Sequence, residues 1–177
     1  MNPDHSVGAV PNESVRKNKS MTTKKLEIKY LNENPQYAET VSDWIYTEFI
    51  KGVRDDLTIE DLTARIKACH KETLPIRLVA VLDGQCVGTV SLVENDLTCR
   101  DDTPWLAALI VRGDLRGRGI GQQLVSFVQE LARQMGYREL YLRTEHASAY
   151  YKKLGWQYVE TCEDLYSLKP DVFKVTL

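Results

Sequence analysis

The sequence predicts an α/β fold with a mixed sheet and a central βαβ unit, and three observations carry that prediction. Apolar residues alternate with polar ones in some stretches and recur every three to four residues in others, so strands and helices interleave. Asp83-Gly84 sits between two Val/Leu-rich runs and marks a hairpin. A continuous apolar run, WLAALIV at 105–111, passes through a glycine-rich turn into an amphipathic helix and then a further strand.

The elements follow in order. Residues 1 to about 24 are polar, with little to bury, and read as a flexible tail outside a single domain over 25–177. LEIKYL (26–31) alternates like a half-buried strand. From Pro35 to Ile50, Tyr37, Val41, Trp44, Ile45 and Phe49 recur at helical spacing. A second helix starts at Thr58, where Thr58 and Asp61 fit a capping box and Leu62, Ile66 and Cys69 form the buried stripe. IRLVAVL (76–82) and CVGTVSLV (86–93) are the hairpin strands, and WLAALIV, lacking alternation, reads as a strand buried on both faces. Ile120 to Gln134 is a helix with Ile120, Leu124, Phe127, Val128, Leu131 and Met135 on one side, and Gly136 supplies a left-handed cap. ELYLR (139–143) is a strand, Ala147–Leu154 a short helix, and two strands follow from Trp156 and Val172. The total is about seven strands and about four helices.

Composition excludes several classes. With 23 basic and 25 acidic residues the formal charge is −2. Nucleic acid is therefore not expected as a partner, since phosphate backbones recruit a basic face. No run approaches the length of a membrane span, and the N-terminus lacks an apolar signal core, which makes the cytoplasm the default. Cys69, Cys86, Cys99 and Cys162 form no CxxC pair and read as buried, reduced thiols; His5, His70 and His146 show no ligand spacing, so no metal is expected.

RGDLRGRGIGQQL (112–124) poses the functional question. A strand, a glycine turn and a helix N-terminus together make an anion site, because free N–H groups and the helix dipole face the ligand. A tight connection with no ligand is the competing reading. The segment has no lysine, so the nucleotide P-loop pattern fails. After Gly117 and Gly119 the third glycine falls at 121 where GxGxxG needs it at 122, so the dinucleotide pattern fails as well.

What remains is R-x-x-G-x-G at Arg116, Gly119 and Gly121. VRGDLRGRGIGQQLVSFVQELARQMGY resembles the acyl-CoA pyrophosphate-binding segment of the GCN5-related N-acetyltransferase (GNAT) family, and YYKKLGW resembles that family's second signature. The resemblance extends over about residues 26–177. It implies a mostly antiparallel sheet splayed between its fourth and fifth strands, and acetyl-CoA as co-substrate. By the same resemblance, backbone groups from Arg116, Gly117, Arg118, Gly119, Ile120 and Gly121 hold pyrophosphate. Leu109 and Val111 pair with the pantetheine arm, and a backbone N–H of Leu109 or Ile110 serves the developing oxyanion. Tyr151, rather than its neighbour Tyr150, is the phenol that returns a proton to the leaving thiolate.

Many relatives place a glutamate where this chain has Trp105. The base is therefore sought in Glu94 first, with Asp96 and Glu145 as alternatives. His146 reads as a surface residue, whereas Trp44, Trp105 and Tyr37 read equally as core or pocket rim. The acids Glu94, Asp96, Asp101 and Asp102 favour a small cationic primary amine as acceptor. A peptide N-terminus is the alternative, and a non-catalytic acyl-CoA sensor the reading from another class. The oligomer is expected to be a monomer or homodimer.

Overall fold

The computed structural model describes residues 25–177, so the tail predicted over 1–24 lies outside the described residues. The strands are β1 (Leu26–Tyr30), β2 (Ile76–Leu82), β3 (Gln85–Val93), β4 (Trp105–Val111), β5 (Glu139–Thr144), β6 (Gln157–Thr161) and β7 (Asp171–Thr176). The α-helices are α1 (Ala38–Ile45), α2 (Ile59–Lys67), α3 (Ile120–Gln134) and α4 (Ser148–Lys153). All the strands join one sheet in the order β1-β2-β3-β4-β5-β7-β6. Only β4 and β5 run parallel, as the strand–helix–strand pattern predicts, and the other neighbours are antiparallel.

Local sequence explains the boundaries. Asp83 (φ 52°) and Gly84 (φ 76°) both take the left-handed conformation that a two-residue hairpin requires. The Thr58 hydroxyl accepts from the Asp61 N–H at 3.1 Å and completes the capping box of α2, worth about 1 kcal/mol. The helix expected from Pro35 to Ile50 is divided: a 3₁₀ turn at Pro35–Tyr37, then α1, then a π-helical turn at Tyr46–Ile50. Such π turns often occur at functional sites.

Alternation puts two cores on opposite faces of the sheet. Leu78, Val90, Leu106 and Leu142 meet Leu124 and Val128 of α3 on one face. Val79, Val81 and Ile110 meet Val41, Ile45, Leu62 and Ile66 of α1 and α2 on the other. Burying each such side chain contributes roughly 1.5–3 kcal/mol. Further along the second face lies a separate cluster of Leu97, Trp105, Tyr141 and Val172.

The cysteines divide differently from the expectation of four buried thiols. Cys69 and Cys86 are free and buried. Cys99 and Cys162 are instead joined as a disulfide. The fold lays the connection after β3 beside the end of β6 and the residue that follows it, and the ion pair of Arg100 with Glu160 of β6 also joins them. Residues 63 apart in sequence are thereby brought together, which spacing alone does not reveal.

Candidate active site

The site begins where β4 leaves β5. Only Trp105↔Tyr141 and Leu106↔Leu142 pair across that junction, and from Ala107 onward β4 has no ladder partner on the β5 side. Buried backbone N–H and C=O groups normally find partners, so an open edge inside a sheet suits an extended ligand. Ala108 and Leu109 also bulge: Thr89 pairs with Ile110 and Ser91 with Ala107, which leaves two residues of β4 opposite Val90. Ala108 takes φ 51°, a left-handed conformation costing an alanine about 1–2 kcal/mol. Bulges of this kind re-aim backbone groups beside active sites.

The open edge runs directly into the glycine turn. Gly117 (φ 76°) and Gly119 (φ 81°) both need the left-handed region, and Gly119 is the N-cap of α3 without any side-chain cap. Gln123 N–H returns to the Gly119 carbonyl at 3.0 Å. The amides of Ile120, Gly121 and Gln122, ahead of it, are the orphan donors of a helix start, and the first turn of α3 carries no acid. The positive end of the helix dipole is thus left free for an anion.

A groove of about 560 Å³ joins these features. Leu109, Ile110 and Val111 line it at one end, and Arg116, Gly119 and Gly121 at the other. Arg116 is anchored over it by an Nε–H bond to the Val111 carbonyl at 3.0 Å. Glu48 and Phe49, from the π-helical turn, form part of its wall. Arg118 is exposed and its side chain does not line the groove. A second, more open hollow of about 480 Å³ lies by Glu39 and Lys67 on the outer side of α2, away from this strand–turn–helix unit.

The two tyrosines of YYKKLGW separate. Tyr150 lines the groove, and its hydroxyl lies 3.0 Å from where a Cβ on Gly121 would stand. Tyr151 is buried behind it, its ring packed on Trp156 and Phe173, and its hydroxyl bonds no group among the described residues. Burial, with a smaller contribution from Tyr150, holds the Tyr151 phenol well above its ordinary value. Phe173 opposes Leu142, the last β5 residue paired with β4, so Tyr151 lies near the point where the strands part.

The acids separate as well. Glu94 is exposed. Asp96 folds inward and accepts from Arg143 Nε at 3.2 Å. Loss of solvation pushes its carboxyl up to about 6, against the pull of Arg143. Arg143 also meets Asp164 at 2.8 Å and Glu145 at 3.9 Å. Asp102 is paired with Arg100, and its carbonyl accepts from the Trp105 indole at 2.6 Å. Trp105 is fully buried in the core, and His146 is exposed.

A family model described as acetyltransferase (GNAT) family matches residues 38–156. The chain belongs to this family. Among solved structures, this acetyltransferase is similar to an aminoglycoside 6′-N-acetyltransferase complexed with coenzyme A, at 19% identity over 85% of this chain and 96% of that one, TM-score 0.67. It is likewise similar to a GNAT-family acetyltransferase from Staphylococcus aureus, at 17% identity over 86% and 99%, TM-score 0.65. PaiA N-acetyltransferase from Thermoplasma acidophilum, in complex with coenzyme A, gives 18% identity over 86% and 99%, TM-score 0.65. At these identities the likeness speaks for the fold. No curated protein sequence matches the chain significantly. No helix among the described residues is long and apolar enough to cross a membrane.

Sequence reasoning missed Gln122, Glu48 and Phe49 as groove residues, together with the inward fold of Asp96. Periodicity marks only Phe49, and it marks that residue as part of a buried helix face rather than as a groove wall.

Proposed function

We propose that residues 25–177 form one catalytic unit that moves an acetyl group from acetyl-CoA directly to a small primary amine. The observation that carries this reading is the continuity of an unpaired strand edge with an uncapped helix start along one groove. The amides from Ile120 to Gln122, with the Arg116 side chain, suit a pyrophosphate. The open edge of β4 suits the two amides of a pantetheine arm. The backbone N–H groups re-aimed at the Ala108–Leu109 bulge suit the charge that develops on a thioester oxygen under attack.

The residues then divide the proton work. Asp96, ionised above about pH 6, takes the proton of the incoming ammonium; its recessed position and raised carboxyl favour it over exposed Glu94. Tyr151 remains protonated through the working range and gives its proton to the thiolate as the carbon–sulfur bond breaks; the second proton, shed by nitrogen as the amide forms, restores the phenol. The carboxylates gathered around Arg143 favour an acceptor that brings positive charge.

The test is free-thiol release from acetyl-CoA with a panel of primary amines, alongside titration of CoA binding. Amine-dependent release is the expected result. Tight CoA binding with no release for any amine would instead make the protein a CoA sensor, and absence of CoA binding would refute the groove assignment.

A further inference from the structure

The sheet face beneath α1 and α2 is interrupted. Its apolar residues form two separate clusters, one around Val79, Val81 and Ile110 and the other around Leu97, Trp105 and Tyr141. Between them the register lines up Arg77, Ser91 and Ala107 across β2, β3 and β4. Arg143 follows Leu142, whose side chain belongs to the opposite face, so it continues the same strip on β5. A polar strip set between two apolar clusters is the expected floor of a site for a small polar molecule.

Charge is distributed unevenly along the strip. Asp96, Asp164 and Glu145 all gather at Arg143. Arg77 feels Asp96 only at a distance and is bonded to no carboxylate: its Nη1 donates to the buried Ser91 hydroxyl at 2.7 Å, and its Nε is buried with no acceptor. Among the described residues Arg77 makes no ion pair. A buried guanidinium donor without a partner is costly, and the Nε edge, left without an acceptor, is the one suited to a planar carboxylate through two parallel bonds. Neighbouring strands lie about 4.8 Å apart. With Arg77 bonded to Ser91, and Ser91 in register with Ala107, the guanidinium stands roughly one strand spacing from the β4 bulge.

We propose that the acceptor is a primary amine carrying its own carboxylate a few bonds away. Its ammonium faces the acid-rich Arg143 end, and its carboxylate is held by Arg77. This rests on the acetyl-transfer reading above and narrows its substrate class from a cation to a zwitterion.

The experiment measures thiol release from acetyl-CoA by the full chain with matched acceptors: α-amino acids, β-alanine and 4-aminobutyrate, each beside its carboxamide and its decarboxylated amine. The expected result is at least a tenfold higher kcat/KM for one or more acids than for their partners. Arg77→Met should bring that acid-to-amide ratio down toward one, chiefly through KM, and Arg77→Lys should restore part of it; CoA affinity reports that both variants fold. Amides or decarboxylated amines used as well as the acids would overturn the inference while leaving acetyl transfer intact. So would an Arg77→Met variant that slows acids and amides equally. No release with any member, with CoA still bound, would overturn both readings.

Discussion

Asp96 and Arg143 join two connections that sequence keeps apart: the carboxylate after β3 accepts from the guanidinium at the end of β5, 3.2 Å away, beside the point where β4 and β5 part. Burial raises this carboxyl to about 6, with Arg143 opposing and Glu145 adding to the rise. A base acts ionised, so kcat/KM should climb as pH rises through about 6 and then level off. Asp96→Asn should lose about 10²-fold or more in kcat together with that acid limb. A variant with a wild-type rate and limb between pH 5 and 8 would remove Asp96 from the mechanism.

The same shift has a stability consequence of the opposite kind. The folded carboxyl binds its proton more tightly than the ordinary 3.8, so the native state holds more protons between those values. This group's contribution is full below 3.8 and is lost as pH rises through about 6. Asp96→Asn should therefore melt no lower than wild type at pH 7, since Arg143 keeps Asp164; a large fall in Tm would show that the Asp96–Arg143 pair stabilises more than burial costs.

Gly119 joins a positive φ to the head of α3. Gly119→Ala should cost about 1–2 kcal/mol of stability in urea denaturation through backbone strain, since its Cβ meets no atom within 4 Å. Gly119→Glu adds negative charge to the anion site and should weaken CoA binding roughly 10–100-fold by calorimetry. Unchanged CoA affinity would sink the turn assignment.

Tyr150 and Tyr151 should separate in kinetics as they do in space. Tyr151→Phe should lower kcat by about 10²-fold with little effect on acetyl-CoA affinity. Tyr150→Phe, beside Gly121 in the groove, should act mainly on acetyl-CoA KM. The reverse pattern would make Tyr150 the proton donor.

Gly88 is tight for a different reason. A Cβ there would stand 3.0 Å from the Ile110 carbonyl and 3.1 Å from Leu124 Cδ1, between β4 and α3. Gly88→Ala should destabilise by about 1–3 kcal/mol in chemical denaturation, because the backbone oxygen cannot yield as a side chain can. An unchanged midpoint would mean that β3 and β4 separate there at little cost.

Where local chemistry decides the structure, the sequence was readable. Asp83-Gly84, the Thr58–Asp61 box, the stripe from Ile120 to Leu131 and the Arg116–Gly121 turn each announce themselves within a few residues. What was not readable depends on register. Nothing in WLAALIV singles out Ala108, whose positive φ arises because β4 must accommodate an extra residue against β3. Arg77, Ser91 and Arg143 become neighbours only once four strands are aligned. Glu94 and Asp96 share one polar stretch, and only the packing of that stretch turns Asp96 inward and leaves Glu94 outside.

Helix α3 begins without a side chain to close it, so on the reading proposed above a CoA seated in the groove would also complete the helix. Ligand occupancy and folded population are then one linked equilibrium: each tenfold rise in free ligand above Kd adds about 1.4 kcal/mol to the native state. A shortage of the acyl donor would then be felt in the small unfolded population, the part of the protein open to proteolysis.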